Sequence, residues 1–199
     1  MKDLSLHILD IVQNSTAAGA DCIKVTIRAQ RADGVLEIEV EDDGCGMDGE
    51  LLARVTDPFA TTRATRKVGL GIPLLKASAE RSGGSFRIVS QKGTGTTVKA
   101  DFQLKNIDRP PMGDVAGVIA DLAAAYPEID IQLLLKCGER IFRFSSLEVR
   151  QIIGEVPVSE LRIMRWMRRY IEEGIWEIFG GVIDEIDSGT RRNSQENTG

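Results

Sequence analysis

Asp10 and Asn14 stand four residues apart in Leu-Asp-Ile-Val-Gln-Asn-Ser, so on a helix their carboxylate and amide project from one face, one turn apart. A carboxylate and an amide are thereby aligned. Asp42-Asp43-Gly44-Cys45-Gly46-Met47 sets an acid at a strand end, followed by glycines that let backbone approach a flat ring. Gly69-Leu70-Gly71 opens a helix whose N-terminal amides suit a phosphate, and the stretch before it carries Thr61, Thr62, Arg63, Arg66 and Lys67. Gly93-Thr94-Gly95-Thr96-Thr97 then leads into a strand. No G-x-x-x-x-G-K-[ST] is present, and Gly69-Leu70-Gly71-Ile72 does not complete G-x-G-x-x-G, so neither a P-loop nor a dinucleotide fold is supported.

These residues need elements to hold them. Leu4, Ile8, Ile11, Val12 and Ser15 recur at helical spacing behind Asp3, which predicts an amphipathic helix over 4–19. Alternation in 23–27 and 36–40 around Asp33-Gly34 predicts an antiparallel hairpin. A short helix near 50–55, a mobile loop at 57–68 and a helix at 70–81 follow, then a second hairpin of 85–90 and 97–102 around Gly93-Thr94-Gly95. Polar residues 105–113 with Pro110-Pro111 read as a boundary. A second unit of helix 114–125, hairpin 129–135 with 141–144, short helix 146–153 and long helix 159–178 comes next. Residues 187–199, read as free of apolar side chains, are expected to be disordered.

The chain has 199 residues, 42% of them hydrophobic and 28% charged, an ordinary globular composition. Its formal charge of -5 opposes general attraction to nucleic acid or an anionic membrane, so neither is an expected partner. Cys22, Cys45 and Cys137 are odd in number, widely spaced and accompanied by one histidine, so they read as reduced thiols rather than a metal site. No basic segment followed by an apolar one opens the chain, and no apolar run approaches the roughly 20 residues that span a bilayer. The location expected is cytoplasmic.

Taken in order, Asp-Ile-Val-Gln-Asn-Ser-Thr-Ala-Ala-Gly-Ala, Asp-Asp-Gly-Cys-Gly-Met, Pro-Phe-Ala-Thr-Thr before Gly-Leu-Gly, and Gly-Thr-Gly-Thr-Thr resemble the N, G1, G2 and G3 boxes of the GHKL ATPases. These comprise gyrase, the ninety-kilodalton heat-shock chaperone, histidine kinases and the mismatch-repair ATPase. The resemblance covers 1–105 and implies ATP and Mg²⁺ as ligands. It implies that Asn14 binds Mg²⁺ and that Asp42 accepts from the adenine amino group with Thr96 in support. Gly44 and Gly46 would leave room for the purine beside Met47, and Gly69, Leu70 and Gly71 would cover the phosphates. Residues 57–68, with Thr61, Thr62 and Lys67, would be the ATP lid. Asp10 stands where many of these ATPases have a glutamate; one methylene shorter, it argues against fast hydrolysis.

Each short motif alone favours a plain structural role, and only their ordered co-occurrence outweighs it. Arg63, Arg66 and Lys67 are balanced between phosphate contact and a solvated cluster. His7, three residues before Asp10, reads as structural, because the acceptor in sensor kinases resembles a histidine on a separate upstream helical domain. In the last helix the Met164, Met167, Ile171, Ile175 and Ile178 stripe reads as core, while arginines lead and glutamates follow, against the helix dipole. The expected architecture is a two-layer α/β (α+β) sandwich of the GHKL, or Bergerat, type at 1–105. Helices would cover one face of a mixed sheet, with a linker at 106–112 and a small α+β domain at 113–180 that senses or contacts a protein. The expected function is a Mg-ATP-binding, histidine-kinase-like protein without its own phosphoacceptor domain, transferring the γ-phosphoryl group in trans to an unidentified protein. A slow ATPase switch or a non-enzymatic ATP sensor is the alternative, and a homodimer is left open.

Overall fold

A computed structural model describes residues 3–30, 32–55 and 70–180. Thr61, Thr62, Lys67 and Gly69, the expected lid at 57–68 and the expected tail at 187–199 lie outside them. Helix α1 spans Leu4–Ala17. Its start is set by Asp3, whose carboxylate accepts from the Leu6 N–H at 3.0 Å and so satisfies one of the orphan donors of the first turn. The apolar stripe of Leu4, Ile8, Ile11 and Val12 is fully buried. Strands β1 (Cys22–Gln30) and β2 (Val35–Asp42) form the first hairpin, followed by α2 (Gly49–Val55), α3 (Gly71–Arg81), β3 (Phe86–Gln91) and β4 (Gly95–Gln103). After these come α4 (Val115–Ala125), β5 (Asp130–Cys137), β6 (Arg140–Ser145), α5 (Ser146–Ile153) and α6 (Leu161–Phe179).

All six strands belong to one sheet in the order β3-β4-β2-β1-β5-β6, parallel only between β1 and β5. The period of two sorts their side chains. Ile23, Val25, Ile27 and Ala29 of β1, Ile38 and Val40 of β2, and Ile131, Leu133 and Leu135 of β5 are buried under the helices. The opposite face is polar, and Glu37, a deeply buried acid on it, is held at 2.6 Å by both Arg28 and Lys99. This is the expected two-layer sandwich with helices on one face of a mixed sheet.

The expected second unit, 113–180, adds β5 and β6 to the same sheet. β5 runs alongside β1 from Cys22 opposite Asp130 to Ala29 opposite Cys137. β1 lies inside the sheet with its helix-facing side chains buried, and an interior strand needs both of its hydrogen-bonding edges filled. β2 fills one edge, and only β5 fills the other. The connecting stretch is likewise tied down: the Leu4 and Ser5 N–H groups donate to the Pro111 and Met112 carbonyls, both at 2.9 Å. Arg109 inside it is buried, donating to the Leu104 and Pro110 carbonyls.

Candidate functional site

Strand register builds the site. Asp42 ends β2 on the helix-facing side, opposite Ile23 of β1 and Thr96 of β4, and Thr96 in turn lies opposite Ser90 of β3. A polar row therefore crosses three strands at the point where the apolar row stops. One turn of α1 lies over it and brings Asn14 and Ser15 to the same place. Together with Ile11, Gly46, Met47 and Ile72 these residues line a cavity of about 160 Å³ whose walls are mainly apolar.

Asp42 is fixed from three sides. Its Oδ2 accepts from the Ser15 hydroxyl at 2.6 Å, and its Oδ1 accepts from the Gly44 N–H at 3.0 Å and the Thr96 N–H at 3.2 Å. A carboxylate offers about four acceptor positions, two on each oxygen, so one position on Oδ2 is left unfilled by these donors. The Ser90 hydroxyl accepts from the Met47 N–H at 2.8 Å and lies 2.9 Å from the Thr96 hydroxyl, which locks the loop after β2 to the strand pair β3–β4. Asp43 plays a different part: its carboxylate accepts from the Asp21 and Cys22 N–H groups, both at 2.9 Å, and pins this loop to the start of β1.

The glycines of this loop and of α3 sit where an added Cβ would meet neighbouring protein atoms. Gly46 has φ +60°, and a Cβ there would drive into the Gln91 carbonyl. A Cβ on Gly44 would press on Ala18. Both let the loop pack tightly against the β3–β4 turn and the end of α1. Gly71 does the same for α3, since a Cβ there would lie 2.7 Å from the Asp10 Cβ.

Asp10 is half-buried beside Gly71 and is not among the residues that line the cavity. Burial pushes its carboxyl above the ordinary range, because desolvation penalises the charged form. The Nδ2 of Asn14 is buried with no acceptor among the described residues. Leu70 is 56% exposed where α3 begins. Among the described residues no cluster of three or more His, Cys, Asp or Glu side chains could hold a metal ion.

The structure thus gathers Asn14, Asp42, Gly46, Met47 and Thr96 at one cavity, with Gly44 bonded to Asp42 behind it. It sets Asp10, Leu70 and Gly71 at the neighbouring start of α3. Sequence reasoning missed Ser15 and Ser90. Ser15 carried a signal, a small hydroxyl at a buried helical position next to Asn14, whereas Ser90 is defined only by its register opposite Thr96.

The sequence profile described as "Histidine kinase-, DNA gyrase B-, and HSP90-like ATPase" matches residues 2–106. Histidine protein kinase DivJ of Caulobacter vibrioides is 38% identical over 95 residues, covering 46% of this chain and 16% of that protein. The signal transduction histidine-protein kinase AtoS of Escherichia coli is 36% identical over 99 residues, covering 49% of this chain and again 16% of the relative. The Aquifex aeolicus MutL ATPase domain complexed with ADP superposes with a TM-score of 0.47 at 16% identity, covering 77% of this chain and 69% of that one. No helix among the described residues is long and apolar enough to cross a membrane.

Proposed function

Because the chain belongs to the family of histidine kinase-, DNA gyrase B- and HSP90-like ATPases, we propose that its cavity binds ATP with Mg²⁺ and that the γ-phosphoryl group passes in trans to a partner protein. The observation that carries the binding half is the unfilled acceptor position of Asp42, aimed from a rigid three-donor mount at an apolar slot. An exocyclic amine on a flat apolar ring matches that slot: the amine meets the acid, and the ring lies against Ile11, Met47, Ile72 and Val98.

Asn14 fits a magnesium site of the sparse kind. Asn14 lines the cavity, so its amide oxygen could hold the ion while phosphate and water would supply the remaining ligands. Mg²⁺ tolerates that set, because it keeps several waters and bridges phosphates, where it neutralises charge. The start of α3 would receive the phosphates. Asp10 beside it is the candidate proton acceptor for an incoming hydroxyl.

Transfer in trans is supported by His7. It is the one histidine of this sequence, is 2% exposed, and has both ring nitrogens buried out of reach of a phosphate. The histidine kinases similar to residues within 1–106 would then share the ATP-binding part, while the acceptor lies on another polypeptide. One observation favours the alternative of a slow ATPase or an ATP sensor: Asp10 is short and stands beside the cavity rather than in it.

The test is incubation with γ-labelled ATP, alone and with extract of the native host. Label on another polypeptide supports transfer. Free phosphate alone supports the ATPase reading, and unchanged bound ATP supports the sensor.

A further inference from the structure

The outward side of α6 carries Trp166 at 48% exposure, Tyr170 at 40% and Trp176 at 74%, while Met167, Ile171 and Ile178 fill the core behind it. The Trp166 and Tyr170 rings stack 5.4 Å apart with their planes 5° from parallel, and Tyr170 leans on Phe142 of β6 at 5.1 Å. An aromatic pair already ordered in this way loses little side-chain freedom when covered. Trp, Tyr and Arg are also the residue types that carry most of the energy of interfaces.

Charge along α6 is graded. Arg162, Arg165, Arg168 and Arg169 occupy its first half and Glu172, Glu173 and Glu177 its second. The helix dipole prefers the reverse order, so the stability of the helix itself does not account for it. The pairs Arg168–Glu172 and Arg169–Glu173, both at 2.9 Å, are half-exposed or more, so solvent screening leaves them little weight against it.

We propose that a second copy of this chain covers the outward side of α6, the two helices crossing antiparallel about a two-fold axis beside Trp166 and Tyr170. A two-fold contact requires a self-complementary patch, and an antiparallel pair of graded helices is one. With the crossing between Arg169 and Tyr170, Arg162 opposes Glu177 of the partner subunit and Trp166 opposes Glu173 of the partner subunit. Arg169 opposes Tyr170 of the partner subunit, where guanidinium can lie on the ring. These six residues fall within about 100° of the helix circumference, a single seam. The Glu177 carboxylate has no ion-pair partner among the described residues, because Arg140 reaches only its backbone carbonyl. A purely acidic partner would satisfy the arginine half and be repelled by the glutamate half. A parallel second copy would oppose like charges throughout. The seam is about 22 Å long, shorter than a large obligate interface needs, so the dimer is reversible and in the micromolar range.

Sedimentation equilibrium of the full chain, from roughly 1 to 200 µM, tests this. The mass is expected to rise from 21.8 kDa towards twice that value. The double variant W166A/Y170A is expected to weaken association at least about tenfold. R162E and E177R are each expected to weaken it, and the swap R162E/E177R to restore it, because each reversed charge again meets its opposite. Far-UV circular dichroism and melting of every variant confirm folding. A wild-type chain that stays monomeric to the top of the range overturns the proposal, as does a dimer that R162E and E177R leave intact or that the swap fails to restore.

Discussion

Asp42 and Asp10 are expected to separate binding from turnover. Asp42→Ala removes the unfilled acceptor and takes their carboxylate from the Gly44 and Thr96 N–H donors, while the Ser15 hydroxyl keeps only the Ile11 carbonyl at 3.3 Å. ATP affinity measured by calorimetric titration is expected to fall by about ten- to a hundredfold, the loss of one hydrogen bond to a charged acceptor. Ser15→Ala is expected to cost less, about tenfold, since the two backbone donors still hold the acid. Asp10→Ala is expected to keep binding within a few-fold and to abolish labelled-phosphate transfer or release. Equal losses of binding in Asp42→Ala and Asp10→Ala would contradict these roles. Because burial raises the Asp10 carboxyl, turnover at saturating ATP is expected to climb with pH through that raised value and level off above it, and Asp10→Asn to remove the rise. His7 behaves oppositely. Burial lowers it from 6.5 to about 4, so the unfolded chain takes up a proton between those values and the folded chain does not. Stability is therefore full above pH 6.5 and is lost as pH falls towards 4. Urea unfolding of His7→Leu is expected to show a correspondingly smaller acid loss.

Elements were legible wherever one period ran uninterrupted. The spacing of Leu4, Ile8, Ile11 and Val12 gave α1 and its Asp3 cap, and alternation gave both hairpins that carry Asp42 and Thr96. Strand ends moved by one to three residues, because pairing continues past the last alternating apolar residue: β1 extends to Gln30, where it still faces Val35. Cross-strand neighbours were not legible, since register depends on which strands meet. Ser90 therefore stayed hidden, and so did the contacts of Gly46, whose lost side chain makes room for Gln91 on a distant turn. Gly46→Ala is expected to destabilise by about 1–2 kcal/mol from its positive φ alone, with the contact adding to that, and to weaken ATP binding by displacing Met47 from Ser90. Urea denaturation and titration on one sample measure both.

At the scale of the whole molecule, composition and the Pro110-Pro111 pair suggested two bodies, and local patterns could not reveal that β5 and β1 share an edge. Such a pairing joins residues about a hundred positions apart. The chain is expected to unfold in one calorimetric transition, and a fragment ending at residue 112 to aggregate, since it would expose the β1 edge and the apolar surface that Ile131, Leu133 and Leu135 cover. Two separate transitions, or a soluble folded fragment that binds ATP, would argue for independent units. The parallel ladder also has a consequence during synthesis. Ribosomes add about 5–20 residues per second, so β1 emerges several seconds before the strand that shields it. For that interval the nascent nucleotide pocket stands beside a sticky flank, and holdase chaperones have their opportunity to bind there.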